Sequence, residues 1–207
     1  GEAMLETLLD KPLSNEALCK IGDDRWLAAM TQKIFQSGIN WQVVRNKWPN
    51  FEKVFFAFDI EKMLLISDEM WEDKAADAQI IRNFNKVMTI RENALMMHEA
   101  SIKHGSFAKM VADWPSTDII SLWAHLKKEG KRLGGNTGPY SLRIMGKDTF
   151  ILSRDVEGYL RNREIISTGR DTQSAWRAAQ DAFNHWQQES QRPMSQISQI
   201  IAFSVNH

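Results

Sequence analysis

Cysteine, tyrosine and proline are scarce in this chain of 207 residues, which holds one, two and five of them. With Cys19 alone, no intramolecular disulfide forms and no cysteine-rich zinc site can be assembled. A reducing, cytoplasmic setting is the matching expectation. No apolar run reaches the ~18 residues of a membrane span, so no membrane association is expected. The opening Gly1-Glu2-Ala3-Met4 is acidic and precedes no long apolar run, so a secretory leader is not expected there. An excess of one charge is also missing: 26 basic residues face 26 acidic ones. That excludes a broadly basic scaffold that coats nucleic acid, but not a local basic patch.

What is present is an ordinary globular balance, 43% hydrophobic and 25% charged, which excludes intrinsic disorder. The length suits one large domain or two small lobes. Eight tryptophans are the oddity. They serve either as core filling or as a stacking surface for flat ligands, and composition does not separate the two.

The dominant period is helical. Leu27, Met30 and Ile34, with Trp26 and Phe35, fall at three- and four-residue steps, and Gly38 stops that helix. A second helix is read from Trp41 to near Trp48, and Pro49 fits the first position of a third. Asp59 and Ser67 suit N-caps. Long helices are expected over 83–102 and 171–189, another after Asp118, and a last one over 194–205. No sustained strand alternation occurs. The reading is all-α, roughly ten helices joined by short loops. Cys19, with no histidine nearby in sequence, reads as a small buried hydrophobe.

The segment from Leu126 to Tyr140 is a Gly-rich connection between two helices. Pro139 suits the first position of the second helix, with Thr137 or Gly138 as its cap. Free amides there would form an anion site. From Leu126 to Lys147 six basic residues (Lys127, Lys128, Lys131, Arg132, Arg143, Lys147) face one acid, Glu129. A local charge of +5 around free amides suits a nucleic-acid phosphate; a plain helix turn with solvated lysines is the other reading.

Three blocks resemble a known family. The first is Ile34-Phe35-Gln36-Ser37-Gly38-Ile39-Asn40-Trp41, followed by Lys47-Trp48-Pro49-Asn50-Phe51 and Phe58-Asp59. The second is Asp77-Ala78-Gln79-Ile80-Ile81-Arg82-Asn83 with Lys86 and Asn93-Ala94. The third runs from the Gly-rich connection through Gly146-Lys147-Asp148 to Ser153-Arg154-Asp155-Val156. Their order is similar to that of the DNA-3-methyladenine glycosylase I family, within the helix-hairpin-helix glycosylase superfamily. The resemblance implies a two-lobed helical bundle with a helix-hairpin-helix motif and a cleft. It would place an N-terminal extension over 1–20 and one domain over 21–207. It also implies base excision: a nucleotide is flipped from duplex DNA and the N-glycosidic bond of an alkylated purine such as 3-methyladenine is cleaved.

By that resemblance Trp41 is the pocket tryptophan, with Trp26 and Tyr140 as further base contacts; a flat cation is well served by aromatic faces. Ser37, Gly38 and Ile39 match the turn that probes the DNA stack, Ile39 as an apolar wedge. Lys131, Gly135, Asn136, Thr137, Gly138 and Arg143 would contact DNA. Arg82 and Lys86 read instead as a solvated face or an internal ion pair.

The family's pocket glutamate lies eight residues before its tryptophan, where this chain has Lys33. A charged lysine accepts no hydrogen bond and repels a cationic base. Either the substrate differs, the function is lost, or Lys33 turns outward. The superfamily's catalytic aspartate falls nearest Ser153, with Asp155 two residues on; Asp155 is either that carboxylate or a helix N-cap. The position of the lyase members' lysine holds Pro139, which points to monofunctional chemistry. The family's structural zinc needs cysteines and histidines that this chain lacks, so neither metal nor organic cofactor is expected. The expected partner is double-stranded DNA with a damaged base, bound by a monomer. The alternative is a non-catalytic helix-hairpin-helix module that recognises damaged or distorted DNA.

Overall fold

The computed structural model describes residues 2–205, the side chain of Glu2 excepted. It is all-helical, and no strand occurs among the described residues. The helices are α1 (Glu2–Leu8), α2 (Asn15–Cys19), α3 (Asp23–Gln36), α4 (Trp41–Val54), α5 (Ile60–Leu65), α6 (Asp68–Ala76) and α7 (Phe84–His104). Then come α8 (Phe107–Asp113), α9 (Ile119–Glu129), α10 (Thr137–Ile144), α11 (Arg154–Asn162), α12 (Gln173–Ser190) and α13 (Met194–Val205). No helix among the described residues is long and apolar enough to cross a membrane.

Side-chain caps start many of these helices. Asp59 accepts from the Lys62 amide and Ser67 from that of Met70, as read from sequence. Ser153 caps α11 by accepting from the Val156 amide, which leaves Asp155 in the first turn and removes it as the N-cap. One expectation fails at Pro49. α4 runs unbroken from Trp41 to Val54 with the proline inside it. A proline forfeits the bond to the carbonyl four residues back, here that of Arg45. Both residues are exposed, so water reaches that side of the helix.

Seven of the eight tryptophans are in the core or pack against it; Trp41 alone is mostly exposed. Two aromatic clusters anchor the core. Phe35, Trp48, Phe51, Phe55, Phe58 and Trp71 join α3 to α6, with Trp48 stacked on Phe51 at 5.1 Å. Trp123, Phe150, Trp176 and Phe183 form the other, with Phe150 stacked on Phe183 at 4.2 Å. Such pairs contribute about 0.5–1.5 kcal/mol beyond simple burial. Both clusters belong to one continuous apolar core.

The described residues that precede Ile21 are fastened to this body. α2 packs against α8 with Leu18 buried, the Leu13 amide donates to the Gly146 carbonyl, and Arg192 binds Glu6. Cys19 ends exposed, correcting the expectation of a buried thiol.

Buried lysines close several helix ends. Lys86, 6% exposed, donates to the carbonyls of Ile34 (2.8 Å), Phe35 (3.3 Å) and Ser37 at the end of α3. It is not a solvated residue, and among the described residues it is not half of an ion pair. Lys147 likewise reaches the carbonyls of Ala112 and Trp114 at the end of α8. A cation there meets both unsatisfied carbonyls and the negative end of the helix dipole. Replacing Lys86 by methionine keeps the stem and strips the donors. Urea denaturation of Lys86→Met is expected to show a loss of about 2–4 kcal/mol.

Candidate base-binding cleft

The end of α3 faces the start of α10, and the two helices pack together. Between them lies a cleft of about 340 Å³ lined by Lys33, Gln36 and Ser37 from one side and Asn136, Thr137 and Tyr140 from the other. Lys33, Gln36 and Ser37 share one face because helical neighbours recur at three and four residues; Asn136, Thr137 and Tyr140 repeat that spacing. The Lys33 ammonium lies 5.9 Å from the centroid of the Tyr140 ring, within cation–π range. Lys33 is half-buried, and this burial pushes its pKa below the usual lysine value. It does not turn outward.

The Gly-rich connection is held from two sides. Asn93, fully buried on α7, accepts from the Lys131 amide (2.7 Å) and donates to the Lys131 carbonyl (3.1 Å). Asn136 donates to the Leu152 carbonyl at 3.0 Å, tying the connection to the segment that leads into α11 and Asp155. Gly135 has φ of +58°, a left-handed conformation that glycine adopts at least cost. A Cβ on Gly138 would stand 2.5 Å from the Leu133 carbonyl oxygen.

The unbonded amides differ in place from the expectation. The amides of Thr137 and Gly138 donate to the Gly134 and Leu133 carbonyls, and Pro139, third in α10 rather than first, has none. The amides of Gly134, Gly135 and Asn136 have no intramolecular hydrogen bond among the described residues. Successive amides around a left-handed residue form a concavity suited to an anion.

The other expected residues divide. Gly38 is exposed with φ of +84°, and Trp41, 55% exposed, follows it at the start of α4 under the Arg45 guanidinium, 5.3 Å from its ring. Trp41 does not line the cleft itself. Ile39 is half-buried against the core, so only part of it is available as a wedge. Lys131 is exposed, its ammonium 3.7 Å from Glu92.

Three corrections follow. Trp26 is wholly buried with its ring edge against Phe107 and offers no face to a base. Arg143 turns toward α13, donating to the Ser195 carbonyl at 3.2 Å, and burial lowers its pKa. Lys147 is spent on the end of α8. The exposed cations of the stretch are thus Lys127, Lys128, Lys131 and Arg132, a smaller patch than the count of six implied.

Among the described residues no group of three or more histidine, cysteine or acidic side chains is placed to hold a metal. Gln36 was given no role from sequence, although its spacing from Lys33 could have found it, and Ser37, read as part of the turn, lines the cleft as well.

A family model for methyladenine glycosylase matches residues 18–140, more than half the chain. The chain belongs to this family. Solved structures share the fold. A 3-methyladenine DNA glycosylase I from Staphylococcus aureus superposes with a TM-score of 0.54 at 18% identity, over 67% of this chain and 80% of that one. Another 3-methyladenine DNA glycosylase I gives 0.50 at 23% identity, over 67% and 81%. A single-residue variant solved with 3-methyladenine gives 0.52 at 18%, over 59% and 76%. No curated protein matches the chain.

Two outcomes test the cleft walls. Gly138→Val is expected to cost more than about 2 kcal/mol in urea and to abolish duplex-DNA binding, because its Cβ meets backbone. Lys33→Met is expected to unfold no earlier than the unmodified protein at neutral pH. The lowered pKa means the unfolded chain holds the Lys33 proton more tightly, so this group's contribution to stability rises as pH climbs toward the usual lysine value of 10.5.

Proposed function

We propose that this chain is a monofunctional DNA glycosylase of base-excision repair. It binds duplex DNA as a monomer, flips a damaged purine nucleotide, and hydrolyses its N-glycosidic bond without metal or organic cofactor. The alkylated purines of its relatives, such as 3-methyladenine, are the starting substrates to test.

The observation that carries this reading is the cleft, where α3 and the start of α10 meet beside unbonded amides and exposed cations. The amides of Gly134, Gly135 and Asn136 take a backbone phosphate, which fixes register without reading sequence. Gly38 and Ile39 meet the duplex where the nucleotide leaves it. Trp41 offers its exposed ring at the entrance, and the base enters between Lys33 and Tyr140. Asp155 is the carboxylate proposed to face the sugar, stabilising its developing positive charge or orienting water.

Release of free base from methylated and from deaminated or oxidised duplex DNA tests the reading. Measurable release is expected, reduced by about 10²-fold or more in Asp155→Asn and by about tenfold in Trp41→Ala. Unchanged duplex binding with no release of any base would instead support a non-catalytic lesion-binding module.

A further inference from the structure

The cleft has a one-sided chemistry. Lys33 supplies an ammonium, which donates hydrogen bonds and accepts none. Gln36, Ser37, Asn136, Thr137 and Tyr140 are neutral, and no carboxylate lines the space. Among the described residues Lys33 forms no ion pair; its contact is the face of Tyr140. The Nδ2 of Asn136 is already committed to Leu152, and the Ser37 carbonyl to Lys86. A second ammonium, that of Lys86, is bound to the same helix end.

A positively charged purine would therefore meet an unpaired cation and no anion. An uncharged purine presents ring nitrogens and carbonyl oxygens, the acceptors an ammonium and neighbouring hydroxyls bind. The two kinds of base also leave differently. A cationic base departs neutral. An uncharged base departs with the electron pair of the broken bond and is an anion until a proton reaches it.

We propose that Lys33 makes this cleft selective for an uncharged, carbonyl-bearing purine lesion and assists that base's departure as its proton donor. The proposal rests on the glycosylase reading above and deepens it. In the step, the bond from C1′ to the base nitrogen breaks and its electron pair passes to the base. Lys33 gives the base a proton, water adds its oxygen to C1′, and the proton that water releases to solvent restores the ammonium. Partial burial of Lys33 makes it a stronger acid than a solvated lysine, which suits this role.

Duplexes carrying one hypoxanthine, one 8-oxoguanine or one 7-methylguanine test it. The first two bases are uncharged; the third is a cation. Versions with a 2′-fluoro sugar report binding without cleavage, because the fluorine disfavours positive charge at C1′. The unmodified protein is expected to release, and in the fluorinated duplexes to bind, at least one uncharged lesion about tenfold or more in preference to 7-methylguanine. Lys33→Glu is expected to reverse that order and Lys33→Gln to abolish it. The release rate should fall as pH rises through the titration of Lys33, and Lys33→Gln should lose that limb.

A preference for 7-methylguanine, equal binding of all three, or an order unchanged in Lys33→Glu would overturn the proposal. Release of 7-methylguanine with both uncharged bases untouched would overturn it while leaving the glycosylase reading standing. Preferential binding of an uncharged lesion with no release would keep the selectivity but overturn both the acid role and the glycosylase reading.

Discussion

The ammonium of Lys86 is the constraint on which the site depends. It comes from α7 and gathers three carbonyls at the end of α3. A helix end leaves carbonyls without partners, and a buried end must satisfy them. Here one cation does so, and in doing so it fixes where α3 stops and where the turn through Gly38 begins. Lys33, Gln36 and Ser37 hold one wall of the cleft because that last turn is pinned. The desolvated ammonium is stabilised by these dipoles rather than by a carboxylate.

The opposite wall is held by amides instead of charge. Asn93 clamps both backbone groups of Lys131, and Asn136 ties the start of α10 to Leu152. Elsewhere the same economy recurs. Asp23 accepts from the Phe107 and Ala108 amides, and Asp148 from those of Met194 and Ser195. The buried lysines Lys86 and Lys147 are matched to helix ends rather than to carboxylates. Exposed ion pairs such as Lys20 with Glu16 add little by comparison.

Helices were legible because their apolar steps and capping side chains are local signals: α3, α7, α12 and α13 fall close to where periodicity puts them. The short α1, α2 and α8 were not read, since five to seven residues give too little period to register. Pro49 misled because the rule that proline opens a helix takes no account of a solvated carbonyl behind it. At the cleft, Lys33 and Tyr140 were legible only through family resemblance. Trp26 and Arg143 were misplaced because sequence shows residue type but not facing. A tryptophan at helical spacing suits a core as well as a pocket, and an arginine beside a hairpin can turn inward.

Membership of the methyladenine glycosylase family and the position of the cleft point the same way, and the Lys33 side chain lines that cleft. The central claim is that a flipped base sits between α3 and α10. A crystal structure with a duplex holding one 2′-fluoro damaged purine nucleotide tests it most directly. The account predicts the base between Lys33 and Tyr140, a phosphate on the amides of Gly134 to Asn136, and the Gly38–Ile39 turn against the vacated stack. A base still stacked in the duplex, or DNA lying across another face of the protein, would contradict it.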